Sequence, residues 1–126
     1  MIWALRISFW LQALLGIGLS RAFLGMRPLG VASREGDLHV LVGIIAAALA
    51  ILVLRPTGPD DTFTGMARFF PLLPLLLGLL IWPRGGGMAG LPLVLVHVLL
   101  GLAAIGLVEA SIARRRRALG SADATR

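Results

Sequence analysis

The chain has no cysteine, no tyrosine and, by direct reading, no lysine among its 126 residues. The first absence excludes disulfides, thiolate metal sites and cysteine nucleophiles. The last makes all twelve basic residues Arg, which against six acids gives a net charge of +6. Charge is scarce overall: 14% of positions carry it, where a soluble domain has about 25%. No Walker loop, dinucleotide fingerprint, nucleophile elbow or zinc-protease motif occurs. Gly85-Gly86-Gly87 has no strand before it and no Lys after it, so it reads as a flexible turn and not a phosphate loop.

What is present is apolar surface, at 58% of positions. The length suits one compact domain. The apolar runs are Ile7–Leu24, Leu38–Leu54, Phe69–Trp82 and Leu91–Ala113. Each approaches the about 20 residues needed to cross about 30 Å of hydrocarbon at 1.5 Å per residue. They predict spans at about 5–24, 37–54, 66–83 and 90–113. Pro71 and Pro74 are tolerable only in the first turns of a helix, which starts the third helix near Thr64 to Arg68. The breaks (Gly25 to Gly36, Arg55 to Asp61, Pro83 to Gly87) mix Pro, Gly and charge, as turns do. Residues 1–119 form the membrane domain, and 120–126, small and polar, are expected to be a disordered cytoplasmic tail. No clean small-x-small cleavage site follows Leu19, so the first run reads as a span and not a signal peptide. Trp3, Trp10 and Trp82 read as an interfacial belt at span ends. The expected fold is an all-α membrane protein, a bundle of four transmembrane helices.

Four spans put both ends of the chain on one side. That side would hold Arg6, Arg55, Arg68, Arg114, Arg115, Arg116, Arg117 and Arg126; the other would hold Arg21, Arg27, Arg34 and Arg84. Positive loops stay inside, so both termini are expected in the cytoplasm, with the protein in the inner (plasma) membrane. The Arg114–Arg117 run reads as an anchor on anionic lipid. Membrane lipid is the expected partner, and nucleic acid is not.

Ionisable residues inside spans are costly and point to function. Three qualify: His39, His97 and Glu109. Glu109 lies near the cytoplasmic end of its span, where it can snorkel or pair with an Arg of the following run. The histidines stand in matched surroundings. Leu38-His39-Val40-Leu41-Val42-Gly43 parallels Val96-His97-Val98-Leu99-Leu100-Gly101, with Ala46 and Ala104 following at the same spacing. Leu14-Leu15-Gly16 likewise echoes Leu76-Leu77-Gly78. The bundle therefore reads as two repeated helical hairpins, related by an axis along the membrane normal. Spans 2 and 4 run in the same direction, so both histidines sit at a similar depth near the outer leaflet. Residues i and i+4 share a helix face, which places Gly43 and Gly101 one turn below them. Two neutral imidazoles can ligate one iron from opposite sides, and small residues let a macrocycle approach the backbone. His39 and His97 are thus the candidate metal ligands of one haem b. Gly43 and Gly101 are its candidate floor, and Arg34 and Arg84 candidate partners for its propionates. The bland alternative is that the histidines only hydrogen-bond between helices. A zinc or copper site finds no third ligand within the spans, although Glu35 and Asp37 lie close to His39.

The fragment Leu11-Gln12-Ala13-Leu14-Leu15-Gly16, then a loop, then Leu38-His39-Val40-Leu41-Val42-Gly43, resembles the heme A synthase family. Members of that family pair two four-helix halves, each with room for a haem between histidines on its second and fourth helices. The chain is similar to one half over nearly its whole length. The resemblance implies that His39 and His97 are axial ligands. The family's second helix carries Glu three residues before its His, followed by Arg after it; here Gly36 stands at the first place, between Glu35 and Asp37, and Val40 follows His39. The resemblance therefore implies haem binding more than catalysis. The expected function is that of a membrane b-type cytochrome, carrying electrons or handling haem as a homodimer or within a larger redox complex. The alternatives are a non-redox assembly subunit or half-transporter, and a dimeric haem-modifying enzyme.

Overall fold

The computed structural model describes residues 1–23, 29–56, 61–81 and 90–124. Five helices follow in order: α1 (Ile2–Phe23), α2 (Leu29–Val53), α3 (Thr62–Phe69), α4 (Leu72–Ile81) and α5 (Gly90–Ala124). No strand occurs among the described residues. Four segments are long and apolar enough to cross a membrane: Ile2–Leu19, Arg34–Val53, Thr62–Ile81 and Pro92–Ala118. The protein is a four-span membrane bundle. Ile7, Leu14, Leu41, Leu76, Leu99 and Leu102 are each more than half exposed. In water so much apolar surface would drive aggregation; in lipid it faces its own solvent.

The third span is α3 and α4 together, broken at Phe70–Pro71. Asp61 caps its start, its Oδ1 accepting from the Thr64 amide at 3.2 Å, which satisfies one of the orphan donors of the first turn. The helix begins at Thr62, earlier than the turn chemistry suggests. Pro71 has no N–H to give to the carbonyl one turn back. The Leu73 amide instead closes a tighter turn on the Phe70 carbonyl at 3.0 Å, and Pro74 falls in the first turn of α4, where proline is tolerated.

Two other boundaries and the place of one tryptophan differ from expectation. α2 starts at Leu29, so much of the Gly25-to-Gly36 break is helix. Each glycine there costs about 1 kcal/mol, less than the gain from continuing a helix already paired with α1. α5 runs on to Ala124, through residues whose composition suggested a disordered tail. Ala and Arg are among the best helix formers, and no Pro stops the helix. Trp10 lies near the middle of the Ile2–Leu19 span and not at its end, facing outward at 58% exposure.

Contacts near the chain ends hold the bundle together. Leu5, Phe9, Ala46, Ala50, Leu54, Ala67, Ala104, Val108 and Ile112 form the core cluster. Its alanines let the helices approach closely, as membrane packing requires. Polar ties surround it. Ser111 donates to Thr64 at 3.3 Å. Arg115 donates to the Val53 carbonyl at 3.1 Å, capping the end of α2. Arg6 donates to Glu109 at 2.7 Å. Glu109 thus pairs with an Arg, but with one on α1 and not one in the run that follows it. A charged hydrogen bond of this kind contributes about 1.5–3 kcal/mol. Arg6→Ala, which strands the carboxylate, is expected to lower stability by that amount in detergent unfolding. The double variant Arg6→Ala/Glu109→Ala should be less destabilised than Arg6→Ala alone.

Candidate functional site

The other half of the bundle is organised around the two histidines. His39 is the sixth residue of the span Arg34–Val53, and His97 the sixth of Pro92–Ala118. At 1.5 Å per residue both lie about 8 Å in from the start of their spans. Their depths match, as the repeat implies. The rings face one another across the bundle with centroids 6.0 Å apart and planes inclined at 66°.

Each ring rests on a glycine of the helix before it. A Cβ at Gly16 would stand 3.3 Å from His39 Cε1, and one at Gly78 would stand 2.9 Å from His97 Cε1. These are the glycines of the Leu-Leu-Gly echo between spans 1 and 3. They are separate from Gly43 and Gly101, which are expected to let a macrocycle approach the backbone. Gly43 makes room for a different group: a Cβ there would lie 2.9 Å from Gln12 Nε2. A Cβ at Gly101 would meet nothing within 4 Å among the described residues.

Between the rings and the core cluster lies a cavity of about 260 Å³. His39, His97, Gly43, Gly101, Ala46 and Ala104 all border it, with Gln12, Gly16, Pro74 and Leu75. The small residues predicted below the histidines thus do line a common space. Arg34 is exposed at the same end of α2. Arg84 lies outside the described residues.

The polar atoms of this cavity are incompletely satisfied. His39 Nδ1, His97 Nδ1 and Gln12 Oε1 are buried and have no hydrogen-bond partner among the described residues. The Gln12 side-chain amide lies 3.2 Å from His39 Nε2, and the backbone carbonyls of Gln12 and Pro74 are hydrogen-bond partners of His39 and His97. Orphaned buried polar atoms are rare in native structures and mark missing ligands or waters. Among the described residues no group of three or more His, Cys, Asp or Glu side chains gathers as a metal cage.

Gln12 and Pro74 carry no signal by themselves. Aligned on the Leu-Leu-Gly echo, however, Gln12 of the first hairpin corresponds to Pro74 of the second, and that correspondence could have found them. Comparison of the chain with protein-family models, with curated proteins and with solved structures finds no match.

Proposed function

We propose that this protein is a membrane b-type haem protein in which His39 and His97 ligate one haem iron from opposite sides, for electron transfer or haem handling. The observation that carries the reading is the pair of opposed imidazoles, each with an unpaired buried nitrogen, over a floor of small residues. A metal held about 2 Å from one nitrogen of each of two opposed rings sets their centroids about 6 Å apart, and the rings stand at 6.0 Å. Metal-bound histidines usually give their second nitrogen to a carbonyl or carboxylate, the part that the Gln12 and Pro74 backbone carbonyls play here. A bound haem would supply a one-electron iron couple. The chain itself supplies axial nitrogens, an apolar surround that excludes water, and Arg34 near the cavity's end of α2 for a propionate. A porphyrin is larger than the present cavity. α5, which borders the cavity through His97, Gly101 and Ala104, is the least buried of the four spans.

In this reading the termini and the Arg114–Arg117 run lie in the cytoplasm, the histidines near the outer leaflet, and the protein works as a homodimer or with a larger redox complex in the plasma membrane. The excess of Arg at the terminal end supports that orientation.

The test is an optical spectrum of the purified protein, supplied with haem during expression. A Soret band and a sharp reduced α-band are expected. A preparation that stays colourless after haem supplementation sinks the reading.

A further inference from the structure

Three of the residues that border the cavity are exposed: Ile17 on α1, and Val98 and Leu102 on α5. The other seams of the bundle are closed at this level. Between α1 and α2, His39 rests on Gly16, and a Cβ at Gly43 would lie 2.9 Å from the Gln12 side-chain nitrogen. Between α2 and α4, a Cβ at Gly43 would meet Leu75 Cδ1 at 3.3 Å. Between α4 and α5, His97 rests on Gly78. Phe9, Ala46 and Ala104 join the cavity to the core cluster below it. The seam left is that of α1 against α5, which Arg6–Glu109 ties at the far end.

The lips of this seam follow from helix geometry. On α5, Val98 and Leu102 each stand one residue beyond His97 and Gly101. They form a second stripe beside the one that carries the histidine, since i and i+4 share a face. On α1, Ala13 and Ile17 form the matching stripe at the same spacing. The depth decides what the seam opens onto. Val98 and Leu102 are the seventh and eleventh residues of the span Pro92–Ala118, and Ile17 lies two residues from the end of Ile2–Leu19. At 1.5 Å per residue they stand about 9, 15 and 3 Å in from the same edge of the membrane. One leaflet of hydrocarbon is about 15 Å deep. Exposed side chains at these depths meet acyl chains and not water, whichever way the protein is oriented.

We propose that this seam is a lateral portal: the ligand of the cavity enters and leaves from the hydrocarbon of one leaflet, edge-on between Ile17 of α1 and Val98 and Leu102 of α5. The class of ligand it admits is flat and lipid-soluble. An ion or a sugar would have to shed its water among acyl chains to reach it. A macrocycle larger than the closed cavity has room to extend through such an opening. That the ligand is haem rests on the reading of the histidine pair; the route does not.

The experiment uses the full chain in lipid vesicles, as wild type, Leu102→Trp, Ile17→Trp and Leu99→Trp. The first two add bulk to opposite lips. Leu99 is exposed on α5 at a similar depth but does not border the cavity, so the third is the control. The first readout is the rate at which haem dissolved in the bilayer gives a low-spin spectrum. Both lip variants should slow it several-fold, with the control as fast as wild type. The second readout needs no haem: relaxation of the His39 and His97 ring protons by dissolved oxygen, which partitions into lipid, and by a nickel chelate, which stays in water. Oxygen should act on wild type and Leu99→Trp and less on the lip variants, and the chelate on none. Uptake as fast in both lip variants as in wild type, equal slowing by Leu99→Trp, or rings relaxed by the chelate each overturns the proposal. If wild type takes up no haem yet the oxygen effect follows the lips as described, the haem reading fails and the portal stands.

Discussion

A His97→Ala variant supplied with haem is expected to lose the six-coordinate low-spin spectrum altogether. With one imidazole removed, iron keeps at most the His39 side, and the sequence has no third histidine and no cysteine to replace it. The loss in affinity should exceed the about 10–100-fold attached to outer-shell partners, because a ligand itself is gone. His39→Ala should behave alike, since the rings oppose each other at matched depth. The measurement is the reduced-minus-oxidised spectrum with a haem titration. A low-spin spectrum that survives His97→Ala refutes the assignment of axial ligands. Folding offers the control: α5 keeps its core contacts through Ala104, Val108 and Ile112, far from position 97, so the variant should still assemble.

The second large effect is expected at Gly78. A methyl group there would sit 2.9 Å from His97 Cε1, closer than unbonded carbons tolerate. Ring or helix must shift, and overpacking of this kind costs about 1–3 kcal/mol. Gly78→Ala should therefore destabilise the bundle by that amount and broaden or abolish low-spin haem binding by turning His97 away. Gly16→Ala, at 3.3 Å from His39 Cε1, should do the same more weakly. Gly106→Ala has the opposite sign. Its Cβ would meet nothing within 4 Å among the described residues, and replacing a mid-helix glycine by alanine gains about 0.5–1 kcal/mol. The three variants can be ranked in one series of detergent-unfolding curves. If Gly78→Ala proves as benign as Gly106→Ala, His97 does not rest on that glycine. The double variant Gly78→Ala/His97→Ala should recover most of the stability lost by Gly78→Ala alone, because the clash partner has been removed.

These glycines show which parts of the structure could be read from the residues in order. The four spans follow from hydropathy, since a bilayer demands about 20 apolar residues whatever the neighbours are. The histidine pair was legible because a repeat brought two rare residues to one depth. The seats of the rings were visible only as an unexplained echo. A lipid-facing helix is apolar on every side, so its pattern does not mark which face turns inward. Without that rotational phase, nothing in the order of residues marked Gly16 and Gly78 as the glycines under the rings. The same gap hid Gln12 and gave Glu109 a partner in the wrong helix. The break at Phe70–Pro71 had a local cause that the prolines announced. The extra turns at the start of α2 and the end of α5 did not, because propensity outweighed glycine and charge there by small margins.

The ties between the hairpins have a mechanical consequence. Arg6–Glu109 and Arg115 to the Val53 carbonyl both lie at one end, and the cavity lies towards the other. The bundle is built like tweezers, with its pivot at the ties and its jaws at the histidines. Glu109 and His97 are twelve residues apart on one helix, a lever arm of about 18 Å. On such an arm a splay of about 3° at the pivot opens the jaws by about 1 Å. The spacing of the imidazoles is thus sensitive to small changes of angle at the charged end.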